Sequence, residues 1–191
     1  MSKGVSPIGR VSYPHLFVPQ RQTNENGTTK EDYSVVLMFD KNDKGLDAMK
    51  EVAKKVGLEK WAKGVPSGAK NPFRDGDEKN EEGNKPEYAG KIYVTFRCKV
   101  DRPPQVVGPD PRTGRLNKED VYPGCFGRVS YSCYAYEHKN DKGAVISRGI
   151  GFGLNNFQFV KDGERLDSAT DATEDFDVLE EAKSSTADLF S

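Results

Sequence analysis

The sequence has few of the residues on which enzymatic and metal chemistry usually depends. Its 191 residues include two histidines, His15 and His138, which lie far apart with no evident acid–base partner. The cysteines are Cys98, Cys125 and Cys133, with no Cys-x-x-Cys pair that would indicate a zinc site. An odd number of cysteines leaves one thiol unpaired in any disulfide scheme, as is typical of a reducing compartment. We therefore expect a non-enzymatic protein without a metal or another cofactor.

Long hydrophobic runs are also missing. No apolar stretch approaches the roughly 20 residues that a membrane helix needs, and no apolar segment that would suggest a secretory signal follows the N-terminus. Hydrophobic residues make up 35% of the chain and charged residues 31%, which suits a packed core beneath a strongly solvated surface. These absences argue against a membrane protein and favour the cytoplasm.

The net charge of −1 hides two regions of opposite sign. Residues 167–191 contain eight acidic residues and one basic residue, whereas residues 1–166 contain 28 basic and 22 acidic residues. The sequence predicts a folded, nucleic-acid-binding domain over residues 1–166 and a disordered acidic tail over residues 167–191. A domain with a net charge of +6 favours a polyanionic partner.

Alternation of apolar and polar residues predicts a mainly β fold. Five strands are expected over residues 9–17, 33–39, 91–100, 126–137 and about 144–152, and residues 157–161 end the folded part. In the first strand, Pro14 favours an edge position or a bulge. A single helix should follow Asp40 and end at Gly57, with an apolar stripe formed by Leu46, Met49, Ala53 and Val56.

The segments between these elements are predicted to be long loops, over residues 20–32, 62–90 and 101–120. Residues 74–86 in particular are too polar to suggest packing. About five strands with one helix, long loops and a disordered acidic tail favour a small Greek-key barrel of the OB-fold type.

Two of the predicted strands have one apolar face and one face that carries cations and aromatic rings. Single-stranded nucleic acid offers phosphates and exposed base faces, and cations and flat rings bind these two features. The residues proposed for DNA binding on this basis are Lys91, Tyr93, Arg97 and Lys99 on the strand 91–100, and Arg128, Tyr134 and Tyr136 on the strand 126–137. Arg102, in the loop that follows the first of these strands, is added to them.

Other interpretations of these residues stay open. Lysine and tyrosine on an exposed strand face also occur simply as solubilising residues, and a basic barrel face would suit a structural or assembly protein that binds another protein. A nuclease is a more distant alternative, suggested by acidic residues within 75–82. Lys79, Asn80 and Gly83 among and beside those acids favour an exposed flexible loop instead.

The C-terminus combines acidic and apolar residues in Asp188, Leu189 and Phe190. Solubility alone would explain such a tail. Beside a basic groove the tail has two further possible roles. Its acidic residues can compete with DNA for the groove, and its apolar tip can bind partner proteins.

Several segments together resemble a bacteriophage single-stranded DNA-binding protein family. They are Gly9–Phe17 (GRVSYPHLF), Phe73–Asp77 (FRDGD), Tyr122–Ser130 (YPGCFGRVS), Gly153–Asn156 (GLNN) and Lys161–Glu164 (KDGE). The resemblance implies an OB fold, a role in viral DNA replication or recombination within the host cytoplasm, and an acidic C-terminal extension. It also adds Arg74 to the candidate DNA-binding residues and supports Arg128, since both arginines lie inside these motifs.

Overall fold

The computed structural model describes residues 2–23 and 29–167. Apart from Asp167, the predicted acidic tail therefore lies outside the described residues. The main elements are β1 (Ser2–Val5), β2 (Gly9–Thr23), β3 (Thr29–Asp40), α1 (Gly45–Lys60), β4 (Arg74–Asp75), α2 (Gly76–Gly83), β5 (Lys91–Lys99), β6 (Gln105–Val107), β7 (Phe126–Lys139) and β8 (Val145–Lys161). Three short 3-10 turns lie at Pro86–Tyr88, Pro111–Thr113 and Lys118–Asp120.

Five of the strands close into a ring. Strand β2 pairs with β3, β3 with β5, β5 with β8, β8 with β7, and β7 with β2 again. The β5–β8 pairing is parallel, and the other four are antiparallel. The short strands β1, β4 and β6 extend the sheet outside the ring by pairing with β7, β5 and β8. The prediction of a mainly β fold built on five principal strands is confirmed.

The barrel core consists of the alternating apolar positions that define these strands. Val94 and Phe96 of β5, and Val129, Tyr131 and Cys133 of β7, are all buried, as the period of two predicts. Strand β3 differs because it is buried on both faces. Its outward-facing Val36 and Met38 form a second cluster with Tyr88, so the segment after α2 covers the outside of this strand.

Helix α1 buries Leu46, Met49, Ala53 and Val56 as predicted, but both predicted ends are wrong. The helix begins at Gly45, where Asp43 Oδ1 accepts a hydrogen bond from the backbone N–H at 2.7 Å. At the other end it continues through Gly57 to Lys60. A Cβ atom at Gly57 would lie 2.7 Å from Val65 Cγ2, so this glycine permits close packing instead of ending the helix.

The segment 74–86 is packed, contrary to the prediction. Lys41 Nζ forms ion pairs with Asp75 at 2.8 Å and with Asp77 at 2.6 Å, and Asp77 Oδ1 accepts a hydrogen bond from Gly90 N at 2.6 Å. A Cβ atom at Gly76 would lie 2.2 Å from the Tyr88 carbonyl oxygen. Asp75 and Asp77 are paired with a lysine 34 and 36 residues away in the sequence, and composition does not reveal such a tertiary contact.

Residues 20–23 and 29–32, which were predicted as parts of a loop, and residues 153–156, for which no strand was predicted, are also in strands. The hairpin of β2 and β3 is paired as far as Thr23 and Thr29, because polar side chains on an exposed hairpin do not interrupt backbone pairing. Strand β8 runs without a break for 17 residues. In the described part of the chain, no helix is both long and apolar enough to span a membrane.

Candidate nucleic-acid interface

A groove of about 960 Å³ runs over the outer face of β3 and β5. Its floor is formed by alternate residues that point away from the core, namely Asp32, Ser34 and Val36 of β3 and Tyr93, Thr95 and Arg97 of β5. Residues of β7 and β8 line one side, and Lys79 of α2 together with Tyr13 of β2 lies on another part of its lining. The groove therefore combines residues from distant parts of the sequence.

The structure brings five of the nine predicted DNA-binding residues together in this groove: Arg74, Tyr93, Arg97, Tyr134 and Tyr136. The other four, Lys91, Lys99, Arg102 and Arg128, are not among its lining residues. Lys91, the first residue of β5, is ion-paired with Asp40, the last residue of β3. The Arg128 guanidinium donates a hydrogen bond through Nε to Gln158 Oε1 at 2.8 Å on the neighbouring strand.

Three aromatic side chains follow one face of β7, and we call Tyr134, Tyr136 and His138 the ring ladder. The ring centroids are 6.3 Å apart between the tyrosines and 5.2 Å apart between Tyr136 and His138. On the paired strand β8, Gly151 lies opposite Tyr134 and Gly149 opposite Tyr136. Since glycine has no side chain, these two rings can lie directly against the backbone of β8.

The α2 side of the groove contains a lysine surrounded by three rings, which we call the tyrosine cage. Lys79 Nζ lies 4.1 Å from the ring centroid of Tyr88, 4.8 Å from that of Tyr93 and 4.9 Å from that of Tyr13. These distances are within the range of cation–π attraction. Burial lowers the pKa of Lys79 from its ordinary value, as expected for an ammonium group that is partly withdrawn from water.

Tyr13 is brought to the cage by an irregularity in β2. The pairing of β2 with β3 shifts register between Ser12 and His15, and Tyr13 has a φ of +47°. An irregularity at this point agrees with the edge position or bulge that Pro14 predicts. Tyr13 is left 41% exposed, so its ring is accessible at the groove.

Arg97 is held on the groove floor by a buried carboxylate. Its Nη1 donates to Asp32 Oδ1 at 3.3 Å and Oδ2 at 3.1 Å. The Asp32 side chain is 6% exposed, whereas that of Arg97 is 42% exposed. The guanidinium group is thus fixed on one side and open to the groove on the other.

Sequence reasoning missed several residues of the groove, among them Tyr13, Lys30, Lys70 and Lys79. Lys79 was missed because its segment was expected to be a flexible acidic loop. A helix signal was nevertheless present: Asp75 is the N-cap and accepts a hydrogen bond from Asp77 N at 2.9 Å, and an acidic residue three positions later is typical of a helix start.

The acidic residues that suggested a nuclease and the three cysteine thiols are poorly suited to holding a metal ion. Hydrogen bonds from Lys41 are the largest cause of the lowered pKa values of Asp75 and Asp77, so these acids are already paired with a cation. Burial raises the pKa values of Cys98, Cys125 and Cys133 to about 11. Within residues 2–23 and 29–167, no group of three or more His, Cys, Asp or Glu side chains is arranged to hold a metal ion.

The comparison with protein-family models identifies one family. The model of the family described as "Enterobacter phage Enc34, ssDNA-binding protein" matches residues 5–189. Among curated protein sequences there is no significant match.

Two kinds of solved structure are similar in fold. The single-stranded DNA-binding protein of bacteriophage Enc34, solved in complex with ssDNA, has a TM-score of 0.60 at 22% identity, with 84% of this chain and 87% of that chain covered. The single-stranded DNA-binding protein gp2.5 of bacteriophage T7 has a TM-score of 0.59 at 17% identity, with 94% of this chain and 97% of that chain covered.

Proposed function

The chain belongs to the Enterobacter phage Enc34 ssDNA-binding protein family, and from this premise we propose that it binds single-stranded DNA without sequence preference. It would protect or organise DNA during phage replication or recombination in the cytoplasm of the infected bacterium. It would do so without catalysis and without a cofactor.

One observation carries the proposal: rings and cations line the same groove. The rings are Tyr13, Tyr93, Tyr134 and Tyr136, and the cations are Lys30, Lys70, Arg74, Lys79 and Arg97. Cations attract the phosphates that every nucleotide carries, and rings stack on any base because every base has a π face. This combination supports capture by charge followed by stacking, and neither step depends on base identity.

The test is a binding series with fluorescently labelled oligonucleotides. Full-length protein should bind oligo(dT) and mixed-sequence single strands with similar affinity, and affinity should fall steeply between roughly 50 and 200 mM salt. A preference of several hundredfold for one sequence would overturn the non-specific mode. Duplex DNA and RNA of equal length, measured in parallel, would define the preferred nucleic acid.

The same oligonucleotide binding series distinguishes the proposed function from a structural or assembly protein and from a nuclease. A structural or assembly protein that uses this face to bind another protein should not retain single strands at moderate salt. Its protein interface should respond less to salt than DNA binding does. A nuclease would shorten the labelled strand when Mg²⁺ or Mn²⁺ is added. We expect intact strands under all conditions, because Asp75 and Asp77 are paired with Lys41.

The acidic tail lies outside the described residues beyond Asp167, and its role is proposed from its sequence. A short tether keeps a tail at an effective concentration near the millimolar range, so its acidic residues would compete with DNA for the groove. Asp188, Leu189 and Phe190 would bind phage replication or recombination proteins. Deleting residues 168–191, which spares the Arg165–Asp167 ion pair at 2.9 Å, should tighten DNA binding at low salt and have little effect at high salt.

A further inference from the structure

Two glycines of β8, Gly149 and Gly151, lie where the tyrosines of the ring ladder cross the strand. A Cβ atom at Gly151 would lie 2.9 Å from both Cζ and Oη of Tyr134 and 3.1 Å from its Cε2. At Gly149 a Cβ atom would lie 2.9 Å from Tyr136 Oη. Real Cβ atoms essentially never approach closer than about 3.0 Å, because van der Waals repulsion rises steeply there. The two rings therefore occupy the space that side chains at these positions would need.

Backbone conformation does not explain why glycine occupies positions 149 and 151. Neither is among the glycines with positive φ, so an alanine could adopt the same backbone angles. Glycine within a strand also costs about 0.5–1 kcal/mol relative to alanine. At Gly151 the close approach of the Tyr134 ring is thus the feature of the structure that requires glycine, and at Gly149 the Tyr136 hydroxyl and Lys70 together require it.

We infer that Gly151 is a positioning residue for base stacking, acting through Tyr134, and that Gly149 acts in the same way through Tyr136. The inference rests on the proposed function. With one side of the ring against the backbone of β8, the other side remains available, and Tyr134 is 37% exposed. A methyl group at position 151 would push the ring away from the strand and change the surface offered to a base.

A substitution at Gly151 tests the contact with the tyrosine ring more selectively than a substitution at Gly149. The three atoms nearest to a Cβ placed there all belong to the distal part of the Tyr134 side chain, which can rotate away. At Gly149 the Lys70 carbonyl oxygen also lies 2.8 Å away, so a methyl group there would disturb the backbone as well. Gly153, on the same strand, provides a matched control because its nearest atom is 3.4 Å away and Tyr134 Cε1 is at 3.7 Å.

The experiment compares Gly151→Ala with Gly153→Ala by fluorescence anisotropy with labelled oligo(dT) at two salt concentrations. We expect Gly151→Ala to weaken binding roughly tenfold, within the range for loss of one stacked base, while Gly153→Ala stays within about twofold. The salt dependence should not change, because no phosphate contact is removed. Equal affinities for the two variants would overturn the inference.

A double-mutant cycle tests whether Gly151 acts through the ring. In a Tyr134→Ala background, Gly151→Ala should have no further effect, since the ring that it displaces is absent. A loss that persists in that background would show a purely structural effect and would overturn the inference. If circular dichroism shows that Gly151→Ala alone does not fold, the double variant Tyr134→Ala/Gly151→Ala should fold and bind oligo(dT) like Tyr134→Ala, because removing the ring removes the clash. A double variant that does not fold would overturn the inference. Failure of the wild-type protein to bind any single strand would instead refute the proposed function.

Discussion

The ring ladder and the tyrosine cage line the same groove but are built differently. In the ladder, Tyr134 and Tyr136 rest against the glycine backbone of β8. In the cage, the rings of Tyr13, Tyr88 and Tyr93 surround the ammonium group of Lys79. Tyr134 of the ladder is 37% exposed, so part of its ring surface is accessible to a base. A ring that faces an ammonium group already has a cation–π partner, worth about 0.5–2 kcal/mol.

This difference indicates a division of roles. Stacking should be concentrated on the ladder, where a base meets an uncovered ring face. Electrostatic attraction should be concentrated at the cage, where Lys79 adds a positive charge next to Tyr13 and Tyr93. Substitutions in and around the two regions test this division, and their expected effects range from large to small.

Removing the ladder should have the largest effect on affinity. We expect Tyr134→Ala and Tyr136→Ala each to weaken oligo(dT) binding by roughly 1–3 kcal/mol, because base stacking is lost. The dependence of affinity on salt concentration should not change, because the phosphate contacts remain. Tyr93→Ala should cost less than Tyr134→Ala, since Tyr93 already packs edge-to-face on Tyr88 at 5.2 Å. Anisotropy titrations at two salt concentrations measure both quantities. A larger loss for Tyr93→Ala would contradict the division.

Arg97→Ala should reduce both DNA affinity and stability. The substitution removes a groove cation and leaves the buried Asp32 carboxylate without its guanidinium partner, which should lower the free energy of unfolding by about 1–3 kcal/mol. Urea denaturation measures the stability, and Arg74→Ala is the matched control because Arg74 is an exposed groove arginine. Similar stability in the two variants would show that the Asp32 interaction contributes little.

Asp32→Asn gives the complementary test of the same pair. It removes a negative charge from the groove floor and keeps the side-chain shape, so DNA binding should be unchanged or tighter at low salt. Weaker binding would indicate that DNA recognition requires Arg97 to be held by a charged partner.

Lys79→Met should change the salt dependence of DNA affinity more than it changes base stacking. Methionine keeps an unbranched apolar side chain in the cage but removes the charge, so the slope of log K against log salt should fall by about 0.7, the value for one phosphate contact with a single strand. Lys50→Met on α1, outside the groove lining, serves as the control. Equal changes in the two variants would indicate diffuse attraction instead of a located contact.

The smallest effects are expected for the four predicted residues outside the groove. Arg128→Ala, Lys91→Ala, Lys99→Ala and Arg102→Ala should each weaken binding only slightly, and the loss should disappear as salt screens long-range attraction. Arg128 is the most informative of these, because its hydrogen bond to Gln158 gives it a structural role. A loss for Arg128→Ala as large as that for Arg97→Ala would extend the DNA path beyond the groove.

Local sequence pattern predicted the strands and part of the groove. The alternation in β5 and β7 identified the outward-facing Tyr93, Arg97, Tyr134 and Tyr136, because a period of two fixes which residues share a face. The same alternation also selected Lys91 and Arg128, which do not line the groove. A shared face does not say how far along the strand the neighbouring elements extend, so residues at strand ends can lie beyond the groove.

The sequence by itself determined the barrel strands, the buried stripe of α1 and the concentration of cations and rings on outward faces, because each follows from local periodicity. Only the tertiary structure decided that Lys79 enters a cage of three tyrosines and that Gly149 and Gly151 lie beneath the ring ladder. Those contacts join residues that are distant in the chain, such as Tyr13 and Lys79. Their geometry depends on strand pairing and on the Lys41 ion pairs near α2, which no local pattern specifies.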